Sequence, residues 1–181
     1  MKTITKSELG VTGFKTRKYM QPGEQDVLLT LVAKVAPKIM VEIGVNEGLT
    51  ARAMLVSIPS IEHYIGIDIG ADYQFEIPAQ RIERPAEPGA LVKHDPRFQL
   101  ILRGAELPTS ADVVFIDGDH GKKAVLEDSL WAAAIVRHGG LIIWHDYGNP
   151  TVEVTQVLNH LLAQRRDIRH VEKTWIAFEQ R

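Results

Sequence analysis

The feature that most constrains the fold is a short apolar strand that breaks into a turn with two glycines. Residues 38–43 are mostly apolar, as expected of a buried strand, and Gly44 and Gly48 follow before a helix-like segment begins at Leu49. Strand, glycine turn and helix in this order place backbone N–H groups and a helix N-terminus over an open crevice. Because ligands of open α/β sheets bind in such a crevice, this turn is the first candidate for a binding site.

The spacing within the turn separates it from the dinucleotide-binding fingerprint. That fingerprint needs a glycine two places after the first, which makes room for a pyrophosphate. Asn46 occupies that place here, and an acid, Glu42, precedes the turn. Gly44 would allow the tight turn, and Gly48 would let the helix start lie close to a ligand. A strand-to-helix turn that carries two glycines for structural reasons alone is the other interpretation.

Apolar strands alternate with helices along the rest of the chain. The predicted strands are residues 38–43, 63–69, 98–102, 112–116, 141–144, 168–172 and 174–178. The predicted helices are residues 24–35, 49–57, 122–136 and 151–165, with residues 138–140 (His-Gly-Gly) ending the third. Such alternation predicts an α/β fold, in which helices cover both faces of a mostly parallel sheet.

Length and composition are those of one globular domain. The chain has 181 residues, of which 45% are hydrophobic and 24% charged. We expect residues 1–23 to form an N-terminal arm, packed on the domain or on a second subunit in a homodimer, and residues 24–181 to form a single domain. A net charge of -2 argues against a nucleic-acid partner, and no apolar run reaches the length of a membrane span. The absence of cysteine excludes disulfides and thiolate metal sites. Because the N-terminus is polar and has no apolar core of signal length, the chain is predicted to be soluble and cytoplasmic.

Carboxylates and histidines follow the predicted strands, at the edge of the sheet where ligands bind. Asp68 comes about twenty residues after the glycine turn, where a carboxylate can accept both hydroxyls of a ribose. A turn cap is the alternative role for this acid. Ala105 and Glu106 follow the next strand and are candidates to line an adenine pocket.

The densest cluster of polar residues follows two strands that we expect to be neighbours. Asp117, Asp119 and His120 come after one of them, and His145 and Asp146 come after the other. Converging carboxylates repel, so either their pKa values rise or a cation joins them. Oxygen ligands with one imidazole suit Mg²⁺ or Mn²⁺. Alternatively, the acids cap loops and the histidines are solvated.

Together these segments resemble the class I S-adenosylmethionine-dependent methyltransferases over most of the chain. The acid-x-Gly-x-x-x-Gly turn at residues 42–48 is similar to their motif I. Residues 115–120 (FIDGDH) and 139–147 (GGLIIWHDY) narrow the resemblance to metal-dependent small-molecule O-methyltransferases of the macrocin and novobiocin-sugar type and to cephalosporin-hydroxylase-like proteins. The resemblance implies a Rossmann-like fold with a mostly parallel seven-stranded sheet.

The resemblance also implies roles for individual residues. S-adenosylmethionine would be the cofactor, bound by Glu42, Gly44, Asn46, Gly48, Asp68, Ala105, Glu106 and Asp117. Asp117, His145 and Asp146 would ligate Mg²⁺ or Mn²⁺, with His145 in place of an acid that many members carry. Asp119 or His120 would remove the proton from a hydroxyl of a small-molecule acceptor. The implied activity is O-methylation.

Three other functions compete with O-methylation. A nicotinamide-dependent oxidoreductase is disfavoured by Asn46 and by the acids that follow residues 112–116. A non-catalytic domain that binds S-adenosylmethionine or a partner protein gains some support from His145. A nucleic-acid methyltransferase is disfavoured because residues 146–150 (DYGNP) lack the two prolines and aromatic residue of the amino-group methylators.

Residues 70–96 are the least regular part of the predicted fold. Pro78, Pro85, Pro88 and Pro96 rule out one long helix there. Long loops without regular structure are usually functional lids or disordered segments. Two interpretations therefore stay open, a lid or substrate wall and a plain irregular crossover.

Overall fold

The computed structural model describes residues 1–12, 17–70, 73–75, 77 and 87–181. The strands are β1 Lys2–Ile4, β2 Ile39–Ile43, β3 His63–Asp68, β4 Phe98–Leu102, β5 Ala111–Ile116, β6 Val136–Trp144, β7 Arg169–Val171 and β8 Ala177–Gln180. The helices are α1 Lys6–Leu9, α2 Glu24–Val35, α3 Leu49–Ser57, α4 Lys122–Ile135 and α5 Val154–Ala163. None of the helices in the described ranges is both long enough and apolar enough to cross a membrane.

The described strands form one sheet in the order β1-β7-β8-β6-β5-β2-β3-β4. Strands β2 to β6 are mutually parallel, and β8 runs antiparallel to both β6 and β7. The predicted α/β class with a mostly parallel sheet is confirmed. The sheet has eight strands rather than seven, because β1 of the N-terminal arm pairs with β7. Strand order reverses between β2 and β5, which opens a crevice at the C-terminal ends of these two strands.

Alternate residues of the central strands enter two apolar cores, one on each face of the sheet. On one face Met40 and Phe115 pack with Leu28 of α2 and Met54 of α3. On the other face the strands pack against α4 and α5, and all of these core side chains are buried. Covering both faces holds the central strands rigidly and leaves the C-terminal edge of the sheet as the place for a ligand.

Three predicted boundaries were wrong. Residues 136–140 do not end a helix, because β6 begins at Val136 directly after α4. The two glycines of this segment lie where the register of the β5–β6 pairing shifts. A Cβ on Gly140 would lie 2.5 Å from the Asp112 carbonyl oxygen, so only glycine fits there. The last strand begins at Ala177, since Thr174 closes a turn by donating to the Val171 carbonyl at 2.7 Å. Helix α5 begins at Val154 rather than at residue 151.

The long loop is described only in part. Of residues 70–96, positions 71–72, 76 and 78–86 lie outside the described residues, so the lid hypothesis stays a prediction. Tyr73 and Phe75 are described and contact each other edge to face, with ring centroids 5.5 Å apart. The segment from residue 87 returns to the glycine turn, where the Gly89 N–H donates to the Asn46 carbonyl at 2.7 Å.

Candidate active site

A cavity of about 450 Å³ opens at the C-terminal edge of the sheet. The turns after β2, β3, β5 and β6 contribute to its wall, together with residues 17–21 of the N-terminal arm. It lies where the strand order reverses, and its volume is within the usual range for small-molecule sites. The predicted site residues that line it are Gly44, Asn46, Asp68, Asp117, Asp119, His120, His145 and Asp146. Glu42, Gly48, Ala105 and Glu106 are not among its lining residues.

Both glycines of the turn after β2 allow close packing of neighbouring backbone. Gly44 has a φ of +89°, and a Cβ on it would lie 2.1 Å from the carbonyl oxygen of Asp117. Gly48 begins α3, and a Cβ there would meet Val92 at 3.1 Å and Gly89 at 3.2 Å. Gly44 therefore lets the turn after β2 lie directly against the turn after β5. The space beside Gly48 belongs to the segment that follows residue 87.

Asp68 ties the end of β3 to the glycine turn. Its Oδ2 accepts hydrogen bonds from the backbone N–H groups of Val45 at 2.9 Å and Asn46 at 2.8 Å. Its Oδ1 accepts from the N–H of Ile69 at 2.7 Å. An ionised carboxylate can accept about four hydrogen bonds, so Asp68 keeps capacity for a ligand hydroxyl in the cavity.

Glu42 is fully buried beneath the glycine turn. Its Oε2 accepts a hydrogen bond from the hydroxyl of Tyr64 at 2.8 Å. Burial raises the pKa of Glu42 to about 8, and the nearby Asp117 adds to this effect, although the hydrogen bond from Tyr64 acts in the opposite direction. The carboxyl group is therefore mostly protonated at neutral pH.

The raised pKa of Glu42 predicts a pH-dependent stability. In the unfolded chain the group ionises near 4.5, so the unfolded state loses its proton first and stability falls as pH rises towards about 8. Each unit of pKa shift corresponds to about 1.4 kcal/mol, so the loss should reach a few kcal/mol. Urea denaturation of the Glu42→Gln variant should show a shallower decline than the wild type from about pH 5.5 to about pH 8.

Comparing the two proteins isolates Glu42, because every other titrating group is common to both. Parallel pH profiles for wild type and variant would contradict a neutral Glu42 in the folded protein.

Two histidines and two aspartates meet at the opposite wall of the cavity. His145 Nδ1 lies 3.2 Å from Asp117 Oδ1 and 3.4 Å from Asp146 Oδ2. His120 Nε2 lies 3.4 Å from Asp117 Oδ1, and its Nδ1 lies 3.3 Å from Asp146 Oδ2. The turns after β5 and β6 thus bring together four of the side chains that the sequence placed at neighbouring strand ends.

Electrostatic attraction within this cluster opposes the effect of burial. Burial alone would raise the pKa of Asp117, but His145 and His120 outweigh it and lower that pKa below its usual value. The pKa of His145 is well above its ordinary value, because Asp117 and the other facing carboxylates outweigh its desolvation. The pKa of His120 is raised for the same reason. Without a bound cation, the cluster therefore favours ionised carboxylates beside protonated imidazoles.

A buried acid that sequence reasoning missed holds His145 from behind. Glu24 is 0% exposed at the start of α2, and its Oε2 lies 3.0 Å from His145 Nε2. The same carboxylate accepts from the N–H of Gln21 at 2.6 Å and from the N–H of Trp175. In the sequence, Glu24 has only the pattern of an ordinary acid in a first helical turn, so no local signal distinguishes it.

Replacing Glu24 by alanine should lower the free energy of unfolding by about 3–5 kcal/mol. The change leaves the buried His145 imidazole and two backbone N–H groups, those of Gln21 and Trp175, without their acceptor. Glu24→Gln should be less costly, because the amide oxygen can still accept one hydrogen bond. Denaturant titration at neutral pH measures both, and Asp26→Ala serves as a control in the same helical turn. Equal losses for Glu24→Ala and Asp26→Ala would show that Glu24 has no special role.

The donor atoms of the cluster have the spacing that a divalent ion needs. Ligand atoms of Asp117, His120 and Asp146 all lie within 4.8 Å of one another. His145 can add its Nδ1 when neutral, since Glu24 would then hold the proton on Nε2, an arrangement common behind metal-bound histidines. The residues therefore fit a metal ion, with His120 as a ligand in addition to those predicted.

Asp119 lies in the cavity wall, where it also fixes the loops around it. Its Oδ1 accepts from the N–H of Gly121 at 2.9 Å, just before α4, and its Oδ2 accepts from the Tyr73 hydroxyl at 2.9 Å. Burial and the facing carboxylate raise the pKa of Tyr73 to about 12, so the phenol keeps its proton. The described part of the long loop thus reaches the predicted base directly.

The predicted adenine wall does not line the cavity. Ala105 and Glu106 are both exposed, whereas Arg103 on the same turn reaches the cavity. Arg103 also donates to Asp128 of α4 at 2.9 Å. The strand end was predicted correctly, but not which residue of its turn faces inward.

Comparison with known proteins identifies a family whose members share the sequence of this region. The profile of a family described as a methyltransferase domain matches residues 41–147, which include every strand end that lines the cavity. No curated protein sequence matches the chain significantly.

Solved structures of methyltransferases share the fold. An O-methyltransferase from Bacillus cereus in complex with SAH aligns with a TM-score of 0.61 and 16% identity, over 97% of this chain and 86% of that one. The O-methyltransferase TomG from Streptomyces achromogenes, in complex with SAM, aligns with a TM-score of 0.58 and 14% identity, over 96% and 83% of the two chains. An SAH-bound methyltransferase from Podospora anserina aligns with a TM-score of 0.62 and 14% identity, over 87% of this chain and 77% of that one. Such low identities show the fold alone, and it is the Rossmann-like class I methyltransferase fold expected from the sequence.

Proposed function

The chain belongs to the methyltransferase-domain family, and we propose that it transfers the methyl group of S-adenosylmethionine to a hydroxyl group of a small molecule, assisted by a divalent metal ion. The observation that carries this proposal is the shared cavity. The glycine turn with Asp68 forms one wall, and the cluster of Asp117, His120, His145 and Asp146 forms the other. One site can therefore hold a nucleoside cofactor beside groups that activate an alcohol.

The wall formed by the glycine turn suits the cofactor. Asn46 and Gly44 border the cavity, and Asp68 keeps hydrogen-bonding capacity for one ribose hydroxyl. The solved O-methyltransferases from Bacillus cereus and Streptomyces achromogenes were determined with SAH and SAM, respectively. This supports a cofactor of the same class in the present chain.

The opposite wall suits an acceptor hydroxyl. Asp117, His120 and Asp146 would hold the metal ion, with His145 behind them, and a bound ion would lower the pKa of the attacking hydroxyl. Loss of the imidazole protons would accompany binding, because a histidine ligates only when neutral. Imidazole ligands favour Mn²⁺ over Mg²⁺ as the ion.

Asp119 would act as the base, because His120, the other predicted base, would ligate the metal ion. Its carboxylate lines the cavity and accepts hydrogen bonds from the Gly121 N–H and the Tyr73 hydroxyl. A carboxylate held in this position can take the hydroxyl proton of the acceptor. The acceptor oxygen forms a bond to the methyl carbon as the carbon–sulfur bond breaks. The thioether product is S-adenosylhomocysteine, and the proton ends on Asp119. The remaining contribution of the protein is to align the oxygen, carbon and sulfur atoms.

Turnover with labelled S-adenosylmethionine tests the proposal. The purified protein is incubated with a panel of catechols, sugars and hydroxylated acids, in Mg²⁺, in Mn²⁺ and in EDTA, and products are read by mass spectrometry. We expect a methylated acceptor and equimolar S-adenosylhomocysteine, with turnover lost in EDTA and restored by the ion. Tight cofactor binding without turnover on any acceptor would favour a non-catalytic binding domain. Binding of a nicotinamide dinucleotide in place of the sulfonium would favour an oxidoreductase.

A further inference from the structure

One arginine of the N-terminal arm faces the cavity with unused hydrogen-bond donors. Arg17 lines the cavity, and its Nη2 donates to Thr50 Oγ1 at 2.8 Å. Its Nε and Nη1 are buried and have no hydrogen-bond partner among the described residues. The role of Arg17 was not predicted from the sequence, since a single arginine in a polar arm carries no pattern.

Arg17 is only half-buried, but its Nε and Nη1 are buried donors without a partner. Such donors are costly, so they indicate a missing partner. A guanidinium stays charged in proteins and presents its N–H groups as a rigid fork that suits a carboxylate or phosphate. No carboxylate of the described residues lies within ion-pair distance, 4.0 Å, of Arg17. Glu42, the acid beneath the turn, is mostly neutral and bonded to Tyr64. Among the described residues, therefore, no acid forms an ion pair with this fork, although Glu42 and Asp117 lie near enough to attract its charge.

The position of Arg17 indicates which anion would fit. Thr50, its hydrogen-bond partner, lies in the first turn of α3, immediately after the glycine turn. The N-terminus of a helix favours a negative group, because its first N–H groups have no partner within the helix. Arg17 and the start of α3 thus favour a carboxylate at the same place in the cavity, beside the glycine turn.

We propose that Arg17 binds the carboxylate of the methionine moiety of S-adenosylmethionine, so that the arm closes the cofactor site. This inference rests on the proposed function, because it takes the cofactor from it. With the adenosine directed to Asp68, the amino-acid end is the anionic part of the cofactor that reaches the fork. The arm then makes the site selective for a nucleoside that carries an amino-acid carboxylate.

Two ligands, one with and one without that carboxylate, distinguish carboxylate binding by Arg17 from a general effect on the cavity. Calorimetry compares S-adenosylhomocysteine with 5′-methylthioadenosine, which lacks the amino-acid end, for the wild type, Arg17→Gln and Arg17→Lys. Arg17→Gln should weaken S-adenosylhomocysteine binding about 10- to 100-fold, the usual loss for a charge-assisted pair, and leave 5′-methylthioadenosine within about threefold. The affinity of Arg17→Lys for S-adenosylhomocysteine should lie between those of the wild type and Arg17→Gln, because lysine keeps the charge but lacks the forked donors of arginine.

The matched control is Arg165→Gln, at an exposed arginine after α5 that does not line the cavity, and it should change neither affinity. Thermal denaturation of each variant shows whether it is folded. An Arg17→Gln variant that binds S-adenosylhomocysteine like the wild type overturns the inference and leaves the proposed function intact. The same holds if only the KM of an anionic acceptor rises, since Arg17 would then bind the acceptor. A wild type that binds neither ligand overturns both.

Discussion

Replacing Asp117 by asparagine should lower methyl transfer at least about a thousandfold, while the affinity for S-adenosylhomocysteine changes only a few-fold. The Asp117 carboxylate lies 3.4 Å from His120 Nε2 and 3.2 Å from His145 Nδ1, and it is one of the three groups spaced for a metal ion. Asparagine keeps the size of the side chain but removes its charge. It should therefore weaken metal binding and leave the alcohol without activation.

Three measurements check this result on the same preparations. Rates are compared on the acceptor found in the turnover screen, cofactor affinity by calorimetry, and Mn²⁺ affinity by electron paramagnetic resonance. Asp167→Asn is the control, since Asp167 pairs with Arg169 on the surface. If the Asp117 variant kept the rate and the Mn²⁺ affinity of the wild type, the assignment of the metal ligands would be wrong.

Replacing Gly44 by alanine should lower the free energy of unfolding by at least about 4 kcal/mol or prevent folding. A positive φ costs a residue with a Cβ about 1–2 kcal/mol. The larger part of the loss comes from the 2.1 Å separation between that Cβ and the Asp117 carbonyl oxygen, because backbone on both sides would have to move.

Gly139→Ala separates these two contributions. Gly139 also has a positive φ, +81°, but a Cβ there has no neighbour within 4 Å. Urea denaturation should therefore show a loss of only about 1–2 kcal/mol for that variant. Similar losses for the two alanine variants would contradict the close contact between the turns after β2 and β5.

The part of the site that follows from the sequence is the part that parallel topology dictates. Asp117 and Asp146 end adjacent parallel strands, so the order of strands and helices alone places them at one edge. Asp68 is placed by the same rule, although its bonds to Val45 and Asn46 show that it also shapes the glycine turn. The periodicity of apolar residues indicates the strands and helices. Because ligands of such sheets bind at the C-terminal ends of the strands, the strand ends then indicate the site.

What the sequence leaves open depends on contacts between distant segments. Glu24 binds the N–H of Trp175, which is 151 residues away in the chain, and His145, which is 121 residues away. Neither contact leaves a periodic pattern. Arg17 is similar, because its importance lies in two donors that lack a partner in three dimensions.

Local sequence patterns also fail to predict the structure where two kinds of local structure favour the same residue. Glycine with a positive φ occurs both at helix ends and in irregular strand pairings. The sequence around Gly139 therefore predicts a helix cap, whereas Gly139 lies in β6. Ala105 and Glu106 show a related limit. The end of β4 was located, but a turn of a few residues can expose some side chains and bury others.

A crystal structure of the protein grown with S-adenosylhomocysteine tests the central claim most directly. We expect density for the nucleoside in the cavity, with a ribose hydroxyl on Asp68 and its sulfur facing the cluster of Asp117, His120 and Asp146. Density bound elsewhere on the molecule, or an empty cavity at a saturating ligand concentration, would contradict the account.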